Sequence, residues 1–207
     1  DSVRGVWLQG LQVPNVDRIP LAARLESELG IPVFIEDNTR CLTFYEACTE
    51  DDCPASPLLL LNLDLGVGAG IMSDNEVYRG HHGLAGEIGH IVVDPSGYRC
   101  SCGLVGCLET VASVPGILRR FTDLVAEGVE SPLADRLPAL TLEHILAAAD
   151  SGDRVCKSTL YEIGLLVGDA CVKLINLFNP QRLIISGPGA CLHTYFHDAI
   201  WRQIETG

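Results

Sequence analysis

Three cysteines and one histidine lie close together in the stretch GHIVVDPSGYRCSCGLVGCLET at 89–110. Nine residues separate His90 from Cys100. One residue separates Cys100 from Cys102, and four more precede Cys107. Thiolates and imidazole nitrogens are preferred zinc ligands, and four protein ligands close a tetrahedral site. Unrelated buried thiols are the alternative, but three cysteines interleaved with glycine are atypical of a core. The spacing therefore predicts a structural zinc ion.

Two carboxylates flank this stretch, and each has two interpretations. Glu87 stands among three glycines, which favours a ligand contact over a solvated loop position. Glu109 is typical of the first turn of a helix, where an acidic side chain interacts favourably with the helix dipole. The residue types alone therefore favour a functional role for Glu87 and a structural one for Glu109.

A second polar stretch, EDNT at 36–39, joins a predicted strand to a predicted helix. Ligands of α/β proteins bind near the ends of such strands, which makes Asp37 and Asn38 candidate binding residues. Either side chain can instead cap the helix, because Asp and Asn both accept hydrogen bonds from the free N–H groups at a helix start.

The glycine-rich stretch GVGAG at 66–70 is a candidate phosphate loop. Backbone N–H groups without covering side chains can bind oxyanions, so Gly66, Gly68 and Gly70 are candidate cofactor-binding residues. A β-turn or a bulge explains the same short pattern. The loop alone is therefore weak evidence for a cofactor.

The elements that must position these residues alternate between helix and strand. Leu21, Leu25 and Leu29 recur at helical spacing, and Pro32 prevents this helix from continuing into VFIE. The order predicts an α/β protein with a mixed sheet. Helices are predicted at 20–30, 39–48, 113–127, 142–149, 154–178 and 193–204, and strands at 33–36, within 58–80 and at 182–186.

The composition argues against several classes of function. With 14 basic and 27 acidic residues the net charge is −13, and such a surface repels a nucleic-acid backbone. No apolar run reaches the ~18 residues of a membrane span. The nine cysteines are an odd number without the spacing of a disulfide scaffold, which favours a reducing cytoplasm. These residues are therefore predicted to be cytoplasmic and to bind neither DNA nor membranes themselves.

Several motifs, in order along the chain, resemble the ROK family of bacterial repressors and sugar kinases. The resemblance covers roughly residues 30 to 200 and is strongest in the cysteine signature. Its details are most similar to the family's N-acetylglucosamine repressors. The motifs are IEDNTR, GVGAGI, YRGHHGLAGEIGH, CSCGLVGCLE, ETVAS and INLFNPQRLIISGPG.

The resemblance implies an actin-like fold of two lobes with the ligand in the cleft between them. Residues 1–36 would be the tail of the smaller lobe, and 37–207 most of the larger, sugar-binding lobe. The family's first phosphate loop and the winged helix-turn-helix of its regulators would precede residue 1. DNA binding would then depend on that missing domain, and the family suggests a homodimer or homotetramer.

The resemblance also assigns roles in the cleft. Asp37, Asn38, Glu87, His90 and Glu109 match family residues that meet sugar hydroxyls. A carboxylate accepts strong hydrogen bonds from hydroxyls. A zinc ion on one ring nitrogen of the histidine would fix the ring while the other nitrogen meets the sugar.

Three departures from the kinase pattern each weaken the expected ATP site and argue against catalysis. Asn38 stands where the kinases carry the aspartate that acts as general base. Leu65 replaces a phosphate-binding threonine, and Pro188 interrupts a glycine run at the nucleotide end. Proline has no N–H to donate.

Three functions remain open. The favoured one is the effector-sensing part of a sugar-responsive transcriptional regulator that binds an amino sugar or its phosphate. The alternatives are an ATP-dependent sugar kinase and an interaction module that docks a transport protein.

Overall fold

The computed structural model describes residues 1–9, 17–49 and 57–207, which form strands and helices in alternation. The strands are β1 (Trp7–Gln9), β2 (Asp17–Ile19), β3 (Leu58–Leu63), β4 (Val67–Ser73), β5 (Glu76–Val77) and β6 (Arg182–Ser186). The helices are α1 (Leu21–Leu29), α2 (Asn38–Cys48), α3 (Glu109–Ala112), α4 (Val114–Ala126), α5 (Leu142–Asp150), α6 (Arg154–Phe178) and α7 (His193–Thr206).

The larger sheet is mixed, as predicted, with the strand order β5–β4–β3–β6. β3 pairs antiparallel with β4 and parallel with β6. β1 and β2 form a separate two-stranded antiparallel sheet. The turn between β4 and β5 has Asp74 and Asn75 at positive φ, which is the backbone that a tight hairpin needs.

Both faces of β3 are covered, which explains its continuous run of leucines. Leu58 packs in a cluster with Ala47 of α2, while Leu59 packs in a cluster with Leu174 of α6. Neither leucine is exposed to solvent. Helix α2 therefore covers one face of the sheet and presents its first turn at the end of the strands.

The main core lies between β3 and the helices α4 to α7. Phe121, Ile145, Leu160 and Phe196, one from each helix, are fully or almost fully buried in it. Among the described residues, no helix combines the length and the hydropathy that a membrane crossing requires. The helices α4 to α7 therefore cover the face of the sheet opposite α2.

The prediction of a strand at 33–36 was wrong. The Val33 N–H donates to the Glu26 side chain at 3.0 Å, and Phe34 is 94% exposed. A strand exists only where its backbone pairs with a neighbour, and no described strand pairs with this segment. The apolar residues at 33–35 do not by themselves provide such a pairing strand.

The other predicted elements of the described chain are confirmed, and no end is shifted by more than three residues. α6 and β6 have the predicted bounds, and α2 begins at Asn38. The segment EDDCPASP at 50–57 is polar and contains prolines, which predicts a loop, but it lies outside the described residues except for Pro57. The division into lobes at residue 36 stays a prediction.

Candidate functional site

An open polar cleft lies where the start of α2 meets the loops before and after β4. Its volume is about 290 Å³. Most of the residues predicted to bind a ligand line it, together with Asn62 and Asp64 at the end of β3. The predicted residues present are Asp37, Asn38, Gly66, Gly68, Glu87 and Glu109.

Asp37 is the N-cap of α2. Its Oδ1 atom accepts hydrogen bonds from the N–H groups of Thr39 at 3.0 Å and Arg40 at 3.2 Å. The amide oxygen of Asn38 accepts from the same Thr39 N–H at 2.9 Å. The capping interpretation is therefore correct for Asp37, and both side chains still border the cleft.

Arg40 holds this corner against the opposite wall, a role that the sequence did not reveal. Its side chain is 6% exposed and pairs with Glu36 at 3.1 Å. The Nη2 atom donates to the carbonyl oxygens of Gly83 at 2.5 Å and Ala85 at 3.3 Å. The guanidinium therefore fixes the loop that leads to Glu87 relative to α2.

Glu87 enters the cleft because of the glycine before it. Gly86 has φ +93°, and a Cβ atom there would lie 1.8 Å from the Ala69 carbonyl oxygen. The carbonyl oxygen of Gly86 accepts a hydrogen bond from the Ala69 N–H at 2.7 Å. Partial burial raises the pKa of the Glu87 carboxyl, and the nearby His90 opposes this rise.

Glu109 connects the glycine loop to α3. It is the first residue of that helix, and its Oε2 atom accepts from the Val67 N–H at 3.2 Å. One oxygen of the Glu109 carboxylate therefore has a structural role. Since Glu109 also lines the cleft, its remaining acceptor positions can meet a ligand.

Only part of the predicted phosphate loop faces the cleft. Gly66 and Gly68 line it, but Gly70 does not. A Cβ atom at Gly70 would lie 1.7 Å from the Thr43 Oγ1 atom, so this position is glycine because α2 packs directly on β4. The structure thus brings two of the three predicted glycines to the cleft.

The four predicted metal ligands converge. The ligand atoms of His90, Cys100, Cys102 and Cys107 all lie within 4.8 Å of one another. Cys100 Sγ lies 3.6 Å from His90 Nδ1, and Cys102 Sγ lies 3.6 Å from Cys107 Sγ. The edges of a tetrahedral zinc site with such ligands are about 3.4–3.8 Å. The cluster therefore fits one metal ion.

The metal loop requires glycine at position 106. Gly106 has φ +76°, and a Cβ atom there would lie 1.5 Å from the Asp94 carbonyl oxygen. The Gly106 carbonyl accepts from the Val93 N–H at 2.8 Å, and its own N–H donates to Tyr98. This turn brings Cys107 back to His90.

His90 lies between the metal cluster and Glu87, and unlike the other predicted sugar-binding residues it does not itself line the cleft. Its Nδ1 atom faces Cys100, and its Nε2 atom lies 3.9 Å from Glu87 Oε2. A metal ion held through Nδ1 would fix the ring and leave Nε2 facing the carboxylate. The ring is about a quarter exposed, since its side chain has a relative accessibility of 24%.

Known proteins with similar sequences include both regulators and kinases. The chain is 39% identical to the glucokinase of Halalkalibacterium halodurans over 172 residues, which are 81% of this chain and 52% of that protein. It is 34% identical to the xylose repressor of Caldicellulosiruptor bescii over 94% of this chain and 50% of that protein. It is 36% identical to an N-acetylglucosamine repressor of Escherichia coli over 90% of this chain and 45% of that protein. The chain thus spans about half the length of these relatives.

Solved structures give the same picture. A ROK family transcriptional regulator, a homologue of the Escherichia coli MLC protein, superposes with a TM-score of 0.84 at 35% identity and covers 99% of this chain and 51% of that one. A ROK family glucokinase from Streptomyces griseus, in complex with glucose and AMPPNP, superposes with a TM-score of 0.83 at 26% identity. The match covers 98% of this chain and 67% of that one. The fold is the actin-like fold of these kinases. The ROK family model matches residues 9–206, and the chain belongs to the ROK family.

Proposed function

We propose that this chain is the effector-binding part of a sugar-responsive transcriptional regulator, and that it binds an amino sugar or its phosphate. Xylose and N-acetylglucosamine repressors are among its relatives. DNA binding would belong to another part of the protein, because the net charge of −13 opposes it here.

The observation that carries this proposal is the chemistry of the cleft. Asp37, Asn38, Glu87 and Glu109 present carboxylate and amide groups to one open cavity. Carboxylates accept from hydroxyls, and an amide can both donate and accept. The ring of His90 lies beside Glu87 and can donate or accept a further bond. Such a wall suits a ligand that is rich in hydroxyl groups.

A kinase is the second candidate, since glucokinases are also among the relatives. The corner of α2 argues against it. A general base needs a basic lone pair within reach of the proton that it removes. Asn38 has none near neutral pH, and the Asp37 Oδ1 atom already accepts two backbone N–H groups. Leu65 and Pro188 stand where the kinase pattern has phosphate-binding groups.

We further propose that the metal is zinc. Three cysteines and one histidine form a ligand set typical of structural zinc, and they leave no open position for a substrate. The metal would hold the loop 90–107 and the orientation of the His90 ring. Its contribution to sugar binding is therefore indirect.

An ATP-coupled assay on the full-length protein separates the two candidates. We expect no turnover with glucose, N-acetylglucosamine or N-acetylmannosamine, because a lost base typically slows such a step by ~10²–10⁴-fold. Asp37→Asn serves as the matched variant. Turnover near one per second, in the range of ordinary enzymes, that disappears in this variant would establish the kinase instead.

A further inference from the structure

A second cavity, of about 480 Å³, adjoins the cleft. Leu65 and Glu109 line both cavities, so the two adjoin along these residues. Its other walls come from the metal loop and from the first turns of α4, and they include Arg99 and Arg119. Of the described residues that line the cleft, Arg40 is the one cation, and its side chain is occupied by Glu36 and two carbonyl oxygens.

Both arginines of the second cavity lack a carboxylate partner among the described residues. This differs from Arg40, Arg79 and Arg120, which all pair with glutamates. Arg99 and Arg119 differ from other arginines without an ion pair because both line the same cavity. Two guanidinium groups that form no ion pair, in a cavity that has the carboxylate of Glu109 only on the wall shared with the cleft, favour an anion from outside.

Arg119 is held in position by its neighbours. Its guanidinium lies 3.8 Å from the centroid of the Tyr98 ring, and Nη2 donates to the Thr110 carbonyl oxygen at 3.2 Å. The Tyr98 hydroxyl in turn donates to Asp123 at 2.7 Å. Stacking and one backbone bond restrict the side chain and leave other N–H groups for a ligand.

The start of α4 supplies the wall and not the anion contact. The Val114 N–H donates to the Asp64 carbonyl oxygen, and the Gly116 N–H donates to the Ser113 hydroxyl. Glu109 turns one carboxylate oxygen to the Val67 N–H at the cleft. An anion in this cavity would therefore depend on the two arginine side chains.

We infer that the second cavity is an anion subsite, and that it binds the phosphate group of a phosphorylated sugar whose ring occupies the cleft. Guanidinium groups match the oxygens of phosphate in paired, charge-assisted hydrogen bonds. This inference rests on the proposed function and makes it more specific, because it selects the phosphorylated sugar over the free one. Arg99 and Arg119 would be the residues that distinguish the two.

The test is calorimetric titration of the full-length protein with glucose and N-acetylglucosamine, with the 1-phosphate and 6-phosphate of each, and with inorganic phosphate. We expect at least one phosphorylated sugar to bind about tenfold more tightly than its free sugar. Arg99→Gln and Arg119→Gln should each remove most of this difference and leave free-sugar affinity unchanged. Arg120→Gln is the matched control, since this neighbour on α4 pairs with Glu162 outside the cavity and should preserve the difference.

Thermal unfolding verifies that the variants fold. If Arg119→Gln is unstable, Arg99→Gln still tests the subsite, because Arg99 is exposed. Equal affinity for free and phosphorylated sugars in the wild-type protein would overturn the subsite and leave the proposed function intact. An equal loss of affinity for free and phosphorylated sugar in both arginine variants would also overturn the subsite and leave the proposed function intact. Absence of any sugar binding would overturn both.

Discussion

The Nε2 atom of His90 lies 3.9 Å from the Oε2 atom of Glu87, while the Nδ1 atom of the same ring faces the thiol of Cys100. One imidazole therefore belongs to two sites. One edge of the ring faces the cysteines, and the other edge faces Glu87, which lines the cleft. The two sites should respond differently to substitution.

Removal of a metal ligand should release the metal and destabilise the protein. We expect about one zinc per chain by elemental analysis, with tetrahedral S₃N coordination in X-ray absorption. Cys102→Ser should lose the zinc and lower the melting temperature by several degrees, because structural zinc is coupled to folding. Cys48→Ser, at an exposed thiol at the end of α2, is the control and should keep both. Protein prepared without chelator that contains no metal would refute the site.

Glu87→Ala should separate binding from metal retention. A hydrogen bond to a charged group contributes ~1.5–3 kcal/mol, so sugar affinity should fall about tenfold or more. Zinc content should not change, since Glu87 lies outside the ligand set. Glu127→Ala, at the exposed end of α4, should alter neither quantity. Joint loss of sugar and zinc in Glu87→Ala would identify Glu87 as a support of the metal loop instead of a ligand contact.

Glu36 should make stability depend on pH in the acid range. Burial alone would raise its pKa, but hydrogen bonds from the Asp37 N–H, Arg79 and Arg40 lower it on balance below the ordinary 4.5. A lowered folded-state pKa gives stability that is present above the unfolded pKa and lost as the pH falls through the folded one.

Glu36→Gln should therefore reduce the free energy of unfolding by about 1–3 kcal/mol near neutral pH. The deficit should shrink as the pH is lowered from about 5 to about 3. Urea unfolding at each pH measures it, with Glu28→Gln on exposed α1 as the control. A deficit that is independent of pH would show that the charge of Glu36 does not matter.

The capping role of Asp37 predicts a difference between two substitutions. Asn caps a helix about as well as Asp, whereas Ala costs about 1 kcal/mol. Asp37→Asn should therefore leave the free energy of unfolding nearly unchanged, and Asp37→Ala should reduce it by that amount. Equal destabilisation by both, measured by urea unfolding, would argue that the carboxylate charge and not the cap holds the corner.

Local patterns explain which features were predictable. The ligand set of His90 and the cysteines is contained in one loop, and the long apolar periodicity of α6 left few alternatives for its bounds. The roles of Arg40 and Gly70 depend on residues of other elements, Gly83 and Thr43, and no local signal specifies such contacts. The segment 33–36 was misjudged for the same reason, since a strand requires a partner that the sequence does not name.

The proposal that the cleft binds a sugar is tested most directly by calorimetric titration of the zinc-containing, full-length protein with N-acetylglucosamine and its 6-phosphate. We expect saturable binding with a dissociation constant of about 1 mM or lower, a range usual for small hydroxylated ligands. The dissociation constant should rise about tenfold or more in Glu87→Ala and stay unchanged in Glu127→Ala. Absence of saturable heat with these and the other sugars named above, in folded protein with its metal bound, would contradict the sugar-responsive function.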